Sequence, residues 1–593
     1  MPRRSSSAWP ILVVLAVVPI ATAVCARPNR AALQAVEEAY ERTRAARDVV
    51  EVTRSRNAAA GLDGVPLTAL ADRYREARAT LVARLAAGGF DKAPAPEQAR
   101  GDATPGDARS GGGARGEDAR AIAIIRRALD KDLPEENAPP AAEEPGKAAK
   151  PGAEEEPGKA ACAYDPARVG EGPDGFKHLS AKIYACFGQA AHHLPFEGKT
   201  LDRLTIMGML PVTDDVAARR RLFMALAPVW RSMNGDGGAA SPYRLLVRLN
   251  AASLKTRGTS IEAAAAELGI DPKRVEEWLV SVLEAWRSSS PETMMEPWDF
   301  TYAAGKASRT LTKAIPLASL RTLNDRYYHD LGAEIATLGV QYDLEPRDGK
   351  NPVAFTTFGR RPARRDGAWA TGEPWVFASY SIGGLDNLGE LLHETGHAIH
   401  IAAIRTRPAF MDWPDSDTFT EAIADIAALE IYEPAWQSHY LGVAAPLSDS
   451  LRTKYAGIVM DVAWSLFEIR LHHDPDLDPN RVWTEITERY LRIKPHPDLS
   501  WWALRGQLVD LPGYMMNYAV GAILIADLRA RTKQEHGAYA EGDPGWYAWV
   551  SDRLYRFGLE RPSKEVVEEF LGRPVSPNAL LVDLSRATAR AGG

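Results

Sequence analysis

The stretch Leu391-Leu-His-Glu-Thr-Gly-His-Ala-Ile-His400 constrains this chain more than any other part of it. His393 and His397 stand four residues apart, with Glu394 beside the first. On an α-helix, positions i and i+4 share a face about one turn apart, so two imidazoles at this spacing can reach one metal ion. The neighbouring carboxylate then projects toward a water on that ion. The spacing predicts a helix over about 385–404. The same five residues also occur on ordinary helices with exposed His and Glu, so the rest of the chain must supply what a metal site still lacks.

A catalytic zinc takes three protein ligands and keeps one position open. Past His397 the chain reads Thr418-Phe-Thr-Glu-Ala-Ile-Ala-Asp-Ile-Ala-Ala-Leu-Glu430. Its apolar residues recur at helical spacing, which puts Glu421 and Asp425 on one face. The interval from His397 leaves room for one helix to end, a loop to turn through Pro408, Trp413 and Pro414, and a second helix to pack back. A solvated face is the ordinary alternative for two carboxylates. Here Ala422, Ile423, Ala424, Ile426 and Ala427 surround them, and a carboxylate in a buried interface is costly without a partner. The expected arrangement makes Glu421 the third ligand. Asp425 would accept a hydrogen bond from a ligand histidine and fix its tautomer. Two imidazoles and one carboxylate suit Zn2+.

The 593 residues suffice for more than one domain, and 45% hydrophobic content suits a globular protein. A formal net charge of -7 argues against nucleic acid as a partner. The N-terminus reads as an export signal over 1–23: Arg3 and Arg4, an apolar run over 9–20, then Ala21-Thr22-Ala23. The expected location is periplasmic, cell-envelope or secreted. Membrane attachment would come only through an uncleaved signal or a lipid anchor at Cys25, whose preceding Thr22-Ala23-Val24 is a poor match to a lipidation box. Cys162 and Cys186 remain as a candidate disulfide.

The segment 24–90 has apolar residues at helical spacing and is expected to form a small helical hairpin, a candidate membrane-proximal spacer. Residues 91–160 turn to Pro, Gly, Ala and Glu, with the near-repeat Glu144-Pro-Gly-Lys147 and Glu156-Pro-Gly-Lys159. Such sequence buries too little to offset chain entropy and is expected to be a disordered linker. One island within it, 118–133, has helical spacing and would be either a docked helix or a transient one. From 161 to 593 the chain is dense in Trp, Tyr, Leu and Ala and mostly helical in pattern, for example over 216–233 and 261–287. Strands are expected at Pro352-Val-Ala-Phe-Thr-Thr-Phe358 and Pro374-Trp-Val-Phe-Ala-Ser-Tyr380, flanking a basic turn over 359–367. The fold class is therefore mainly α: a multi-helical body with a small β sheet beside the motif helix.

The motifs resemble known families. Glu421-Ala-Ile-Ala-Asp425 resembles the third-ligand helix of angiotensin-converting-enzyme peptidases. His393-Glu-Thr-Gly-His-Ala-Ile-His400 resembles the thimet oligopeptidase, neurolysin and oligopeptidase A group, with glycine before the second ligand and a histidine three residues after it. Glu296-Pro-Trp-Asp-Phe-Thr-Tyr302 and Asp343-Leu-Glu-Pro-Arg-Asp-Gly-Lys350 are similar to segments of the same group, in the same order. The resemblance runs from about 296 to 518 and does not extend before about 160. It implies a zinc peptidase of the gluzincin type, with a deep substrate channel that restricts substrates to short peptides. It also implies tyrosines that hydrogen-bond the oxyanion. Leu511-Pro-Gly-Tyr-Met-Met-Asn-Tyr518 carries the matching pair, Tyr514 and Tyr518, and Tyr518 is the stronger match. Core packing is the ordinary alternative for both. The group's histidine five residues before the first tyrosine would fall at Val509. Trp501, Trp502 or Arg505 would then reshape that wall. His400 has a counterpart in the motif but is not spaced as a ligand. His192, His193, His472 and His473 read as surface residues.

The expected chemistry is peptide hydrolysis with Glu394 as general base and then acid. The strand over 375–380 would pair with an extended substrate by its edge. Two alternatives stay open: a peptidyl-dipeptidase or carboxypeptidase resembling angiotensin-converting enzyme, and a non-catalytic peptide-binding envelope protein on the same fold.

Overall fold

The computed structural model describes residues 30–90, 113–131, 172–238, 240–347, 350 and 354–587. The signal segment, Cys25, Cys162 and most of 91–160 lie outside them, so of the candidate Cys162–Cys186 disulfide only the buried Cys186 is described. Helices dominate, joined by a three-stranded sheet and two small hairpins. No helix among the described residues is long and apolar enough to cross a membrane.

The N-terminal helix Arg30–Ser55 packs along Leu67–Ala87. The island in the Pro/Glu-rich tract is the helix Gly113–Lys131, and it docks. Ala121, Ile122 and Ile125 bury against Leu33, Val36, Tyr40, Leu81 and Leu85, and Ala409 and Phe410 of the large body close this core. The N-terminal segment is therefore seated on the body rather than held away from it as a spacer.

In the body, the main apolar core runs from Leu179 to Ala587, and Phe358, Ile401, Ile404 and Met411 form a smaller one beside it. Two expected helices are broken by local chemistry. The stretch 216–233 divides into Val216–Ala225 and Ala227–Asn234. Pro228 starts the second piece because it cannot donate to the turn before it. The stretch 261–287 begins as a 3-10 turn, Ile261–Leu268, stops at Gly269 in the left-handed region (φ 74°), and resumes as Val275–Ser289 after Pro272. His472 also departs from expectation. It is buried, 3.0 Å from Asn250 and 2.8 Å from the Glu468 carbonyl.

The three-stranded sheet bears directly on the site. Its central strand Glu373–Phe377 pairs in parallel with Gln341–Asp343 and antiparallel with Phe355–Arg360. Both edges of the central strand are thus occupied, so the expected substrate edge at 375–380 does not exist. The outer edge of Phe355–Arg360 pairs with no strand among the described residues. Part of the basic turn folds as a second hairpin, Ala363–Arg365 with Ala368–Ala370, closed by Asp366 and Gly367, both at positive φ. Side-chain alternation gives the sheet two faces. Thr356 faces the motif helix Leu385–Ala403, and Phe355, Trp375 and Phe377 pack on Val52 of the N-terminal helix.

The motif helix crosses the next helix, Asp417–Ala428, at very short range. A Cβ added at Gly396 would sit 2.3 Å from the Ala424 carbonyl oxygen. Glycine before the second histidine is therefore the condition for this crossing.

Candidate active site

The crossing brings three ligand atoms together. His393, His397 and Glu421 each offer one atom within 4.8 Å of the others. The two Nε2 atoms lie 3.1 Å apart. Glu421 oxygens lie 3.4 Å from His393 Nε2 and 3.9 Å from His397 Nε2. Ligands at zinc bond lengths in a tetrahedral arrangement stand about 3.3 Å apart, so the donors fit such an ion in type and spacing. Asp425 Oδ1 is 2.8 Å from His393 Nδ1, which leaves His393 Nε2 turned toward the cluster. Glu421 and Asp425 were expected in a buried helix interface. Instead their side chains are 39% and 31% exposed, because they face a cavity of about 750 Å3.

The electrostatics follow from this crowding. Burial disfavours a charged His393, but the charge and hydrogen bond of Asp425, joined by Glu421 and Glu394, carry its pKa well above the usual histidine value. At His397 burial and then the neighbouring His393 charge push the pKa down to about 3. The Glu421 pKa lies below the usual carboxylate value: burial opposes this, but its hydrogen bond to His393 and the charge of that imidazole outweigh it. Burial lifts Glu394 to about 7, against the pull of His393 and of Thr356. Thr356 Oγ1 lies 2.7 Å from Glu394 Oε2 and 2.9 Å from its carbonyl.

Tyr514 and Tyr518 line the same cavity, their rings 5.4 Å apart and nearly perpendicular. Tyr518 lies on the helix Met515–Glu535 and Tyr514 caps it. Burial raises both phenol pKa values, so each keeps a proton to donate. Thr418 donates to Asn517 at 2.9 Å, tying this helix to the one that carries Glu421. Val509 is fully buried, as are Trp501 and Trp502, and none of them lines the cavity. Arg505 is paired with Asp461 at 2.5 Å. The two upstream segments brace the fold rather than the site. Asp299 pairs with Arg219, and the buried Lys350 amine donates to the Asp343 and Ala378 carbonyls. His400 is buried between Trp413 and Tyr555, away from the three ligand atoms.

Several lining residues escaped the sequence reading. Asp386 and Glu390 continue the stripe of His393 and His397 upstream, at i−7 and i−3, and that periodicity was available in the sequence. Trp413 and Thr356 come from a loop and a strand, and no local pattern marks them. Of the lining residues, Asp386, Glu390, Glu394, Asp417, Glu421 and Asp425 are carboxylates, and none is Lys or Arg.

No protein-family model matches the chain, and no curated protein matches it in sequence. Solved structures do resemble it. PZ peptidase A with inhibitor 2 is 14% identical, covers 95% of this chain and 97% of its own, and gives a TM-score of 0.52. A protein assigned as oligoendopeptidase F is 16% identical, covers 94% and 95%, and gives 0.50. Trypanosoma cruzi metallocarboxypeptidase 1 gives 0.48 at 14% identity, over 94% of this chain and all of that one. The likeness is one of fold, a mainly helical fold shared with these two peptidases of TM-score 0.50 and 0.52. It reaches well beyond the 296–518 stretch in which the motifs lie.

Proposed function

We propose that this protein is a zinc-dependent metallopeptidase that hydrolyses short peptides. The observation that carries this reading is the convergence of His393, His397 and Glu421 in one cavity with the buried carboxyl of Glu394 and the phenols of Tyr514 and Tyr518. Zinc, when held by those three residues, would lower the pKa of a water to about 7 and polarise the scissile carbonyl. The chain's own groups do the rest. Glu394, steadied by Thr356, takes the proton of the attacking water and passes it to the leaving amine. Tyr518, with Tyr514 beside it, donates to the developing oxyanion. An extended substrate would pair with the outer edge of Phe355–Arg360, where Ala354, Phe355 and Thr356 line the cavity. A cavity of about 750 Å3 is of the size that holds a small ligand, which suits a few residues of peptide rather than a folded chain.

A carboxypeptidase or peptidyl-dipeptidase must hold the substrate's terminal carboxylate, and among the described residues none that lines the cavity is lysine or arginine. That favours internal cleavage over the C-terminal alternatives. It also favours substrates with cationic side chains. A purely peptide-binding module has no use for a poised base at Glu394. A mixed peptide library, digested with and without chelator and mapped by mass, tests the reading. Chelator-sensitive internal cuts that vanish in Glu394→Gln are expected. Cleavage that survives in that variant, or none by the zinc-loaded wild type, would sink it, and a ladder from the C-terminus would favour a carboxypeptidase.

A further inference from the structure

The two histidines are held differently. His393 Nδ1 is fixed by Asp425 at 2.8 Å, whereas His397 Nδ1 is buried and has no hydrogen-bond partner among the described residues. Among the described residues no hydrogen bond therefore sets the His397 ring from its Nδ1 side. Trp413 packs against this ring, edge-on with ring centroids 5.5 Å apart. Trp413 sits in the loop between the motif helix and Asp417–Ala428, wedged against Phe358 at 5.0 Å and His400 at 5.6 Å.

That loop is tied down from a distant part of the chain. Asp412 accepts the Trp413 backbone N–H at 3.0 Å and takes Arg44 of the N-terminal helix at 2.6 Å. Arg361 lies 3.5 Å from the same carboxylate and is itself paired at 2.6 Å with Asp48, one turn beyond Arg44. Arg361 also donates to the Met411 carbonyl. A second tie at the start of the loop joins Arg407 to Glu37, Glu117 and Asp118, but it reaches no atom of Trp413. Charge pairs held this far from water are geometrically demanding and strongly coupled, unlike exposed ones.

We propose that the N-terminal helix is a structural part of the metal site: Arg44, acting through Asp412, holds Trp413 against His397 and so sets the ring of the one ligand histidine that lacks a hydrogen-bonded backing. Arg44 and Asp412 are positioning residues, acting through Trp413. This rests on reading His397 as a zinc ligand. A ligand ring held by packing alone loses its aim when the packing loosens, and outer residues that orient ligands typically change metal affinity by about 10- to 100-fold.

The test measures zinc dissociation constants by chelator competition on the full chain, with thermal unfolding and kcat/KM alongside. Arg44→Met and Asp412→Asn are expected to weaken zinc binding about tenfold or more, and Arg44→Lys to restore it in part. Arg407→Met removes the other tie of the same helices and is expected to lower the unfolding temperature while leaving zinc affinity unchanged. If Arg44→Met behaves like Arg407→Met in both measurements, the helix merely docks and the inference is overturned. Should Arg44→Met fail to fold, Trp413→Leu carries the test, and unchanged zinc affinity there overturns it equally. A wild-type protein that binds no zinc is a separate outcome, which overturns the metal reading and this inference with it.

Discussion

Replacing Gly396 by alanine tests the helix crossing on which the site depends. The new methyl would stand 2.3 Å from the Ala424 carbonyl oxygen, 2.9 Å from its carbon and 3.0 Å from its Cα. These are backbone atoms of a buried helix, so no side chain can swing aside. Ordinary contact at that oxygen requires the two helices to part by roughly 1 Å. Overpacking of this kind costs about 1–3 kcal/mol. The functional effect should exceed the stability effect, because Glu421 lies one turn before Ala424 on the helix that must move. A 1 Å displacement of a positioned group can cost about 100-fold in rate. Gly396→Ala is therefore expected to fold with a lowered unfolding temperature, to bind zinc more weakly and to lose most of its kcat/KM. Gly457→Ala serves as the control. Nothing lies within 4 Å of its added Cβ, on the helix Leu447–His473, so it should gain about 0.5–1 kcal/mol from reduced chain entropy. Thermal unfolding, zinc titration and peptide turnover of the two variants decide the matter. Gly396→Ala with wild-type zinc affinity and turnover would refute the reasoning.

The remaining expectations concern the walls of the cavity and the helices behind them. Tyr518→Phe should lower kcat by about 10²–10³ with little change in KM, since its donor is needed only as charge develops; Tyr514→Phe should cost less, and equal losses would argue for a shared role. Glu390→Gln and Asp386→Asn should each reduce kcat/KM for lysine- or arginine-containing peptides about fivefold relative to neutral ones, the value of roughly 1 kcal/mol per partly exposed pair; no change with substrate charge would remove them from recognition. Glu468 accepts the Gly513 N–H at 2.7 Å, and burial pushes its carboxyl up to about 8. Because the folded chain holds this proton and the unfolded chain releases it near pH 4.5, the stabilisation is complete below about 4.5 and is lost as pH rises through 8, on the order of a few kcal/mol. Glu468→Gln should flatten that part of the stability–pH profile, and a slope unchanged in the variant would assign it to another group.

How far the site could be read in advance differs residue by residue. His393, Glu394 and His397 follow from one helical repeat, and Asp386 and Glu390 extend the same stripe. Glu421 and Asp425 required two steps: a second helical face, and its packing back on the first. Gly396 is conspicuous in the sequence, but its reason, the Ala424 carbonyl, is a contact across helices. The expected substrate edge at 375–380 failed for an instructive cause. A strand with nearly every residue buried is a central strand, and which neighbours flank it depends on a parallel partner, Gln341–Asp343, more than thirty residues away. The breaks at Pro228 and at Gly269 with Pro272 are local signals legible in the sequence, and they prevail over the apolar periodicity around them.

The sequence by itself determined the local parts: a metal-spaced helix, a carboxylate helix after it, a tyrosine pair, and a mainly helical body. Each of these is a property of a short segment, because helical spacing acts over three or four residues. Only the tertiary structure decided how the parts face one another. It put Tyr518 and Glu394 in one cavity, left Phe355–Arg360 at the sheet's edge among the described residues, and brought Arg44 to Asp412 and Trp413 to His397. Those relations join residues far apart in the chain, held by packing and charge pairing, and such contacts leave no periodic trace in the segments that make them.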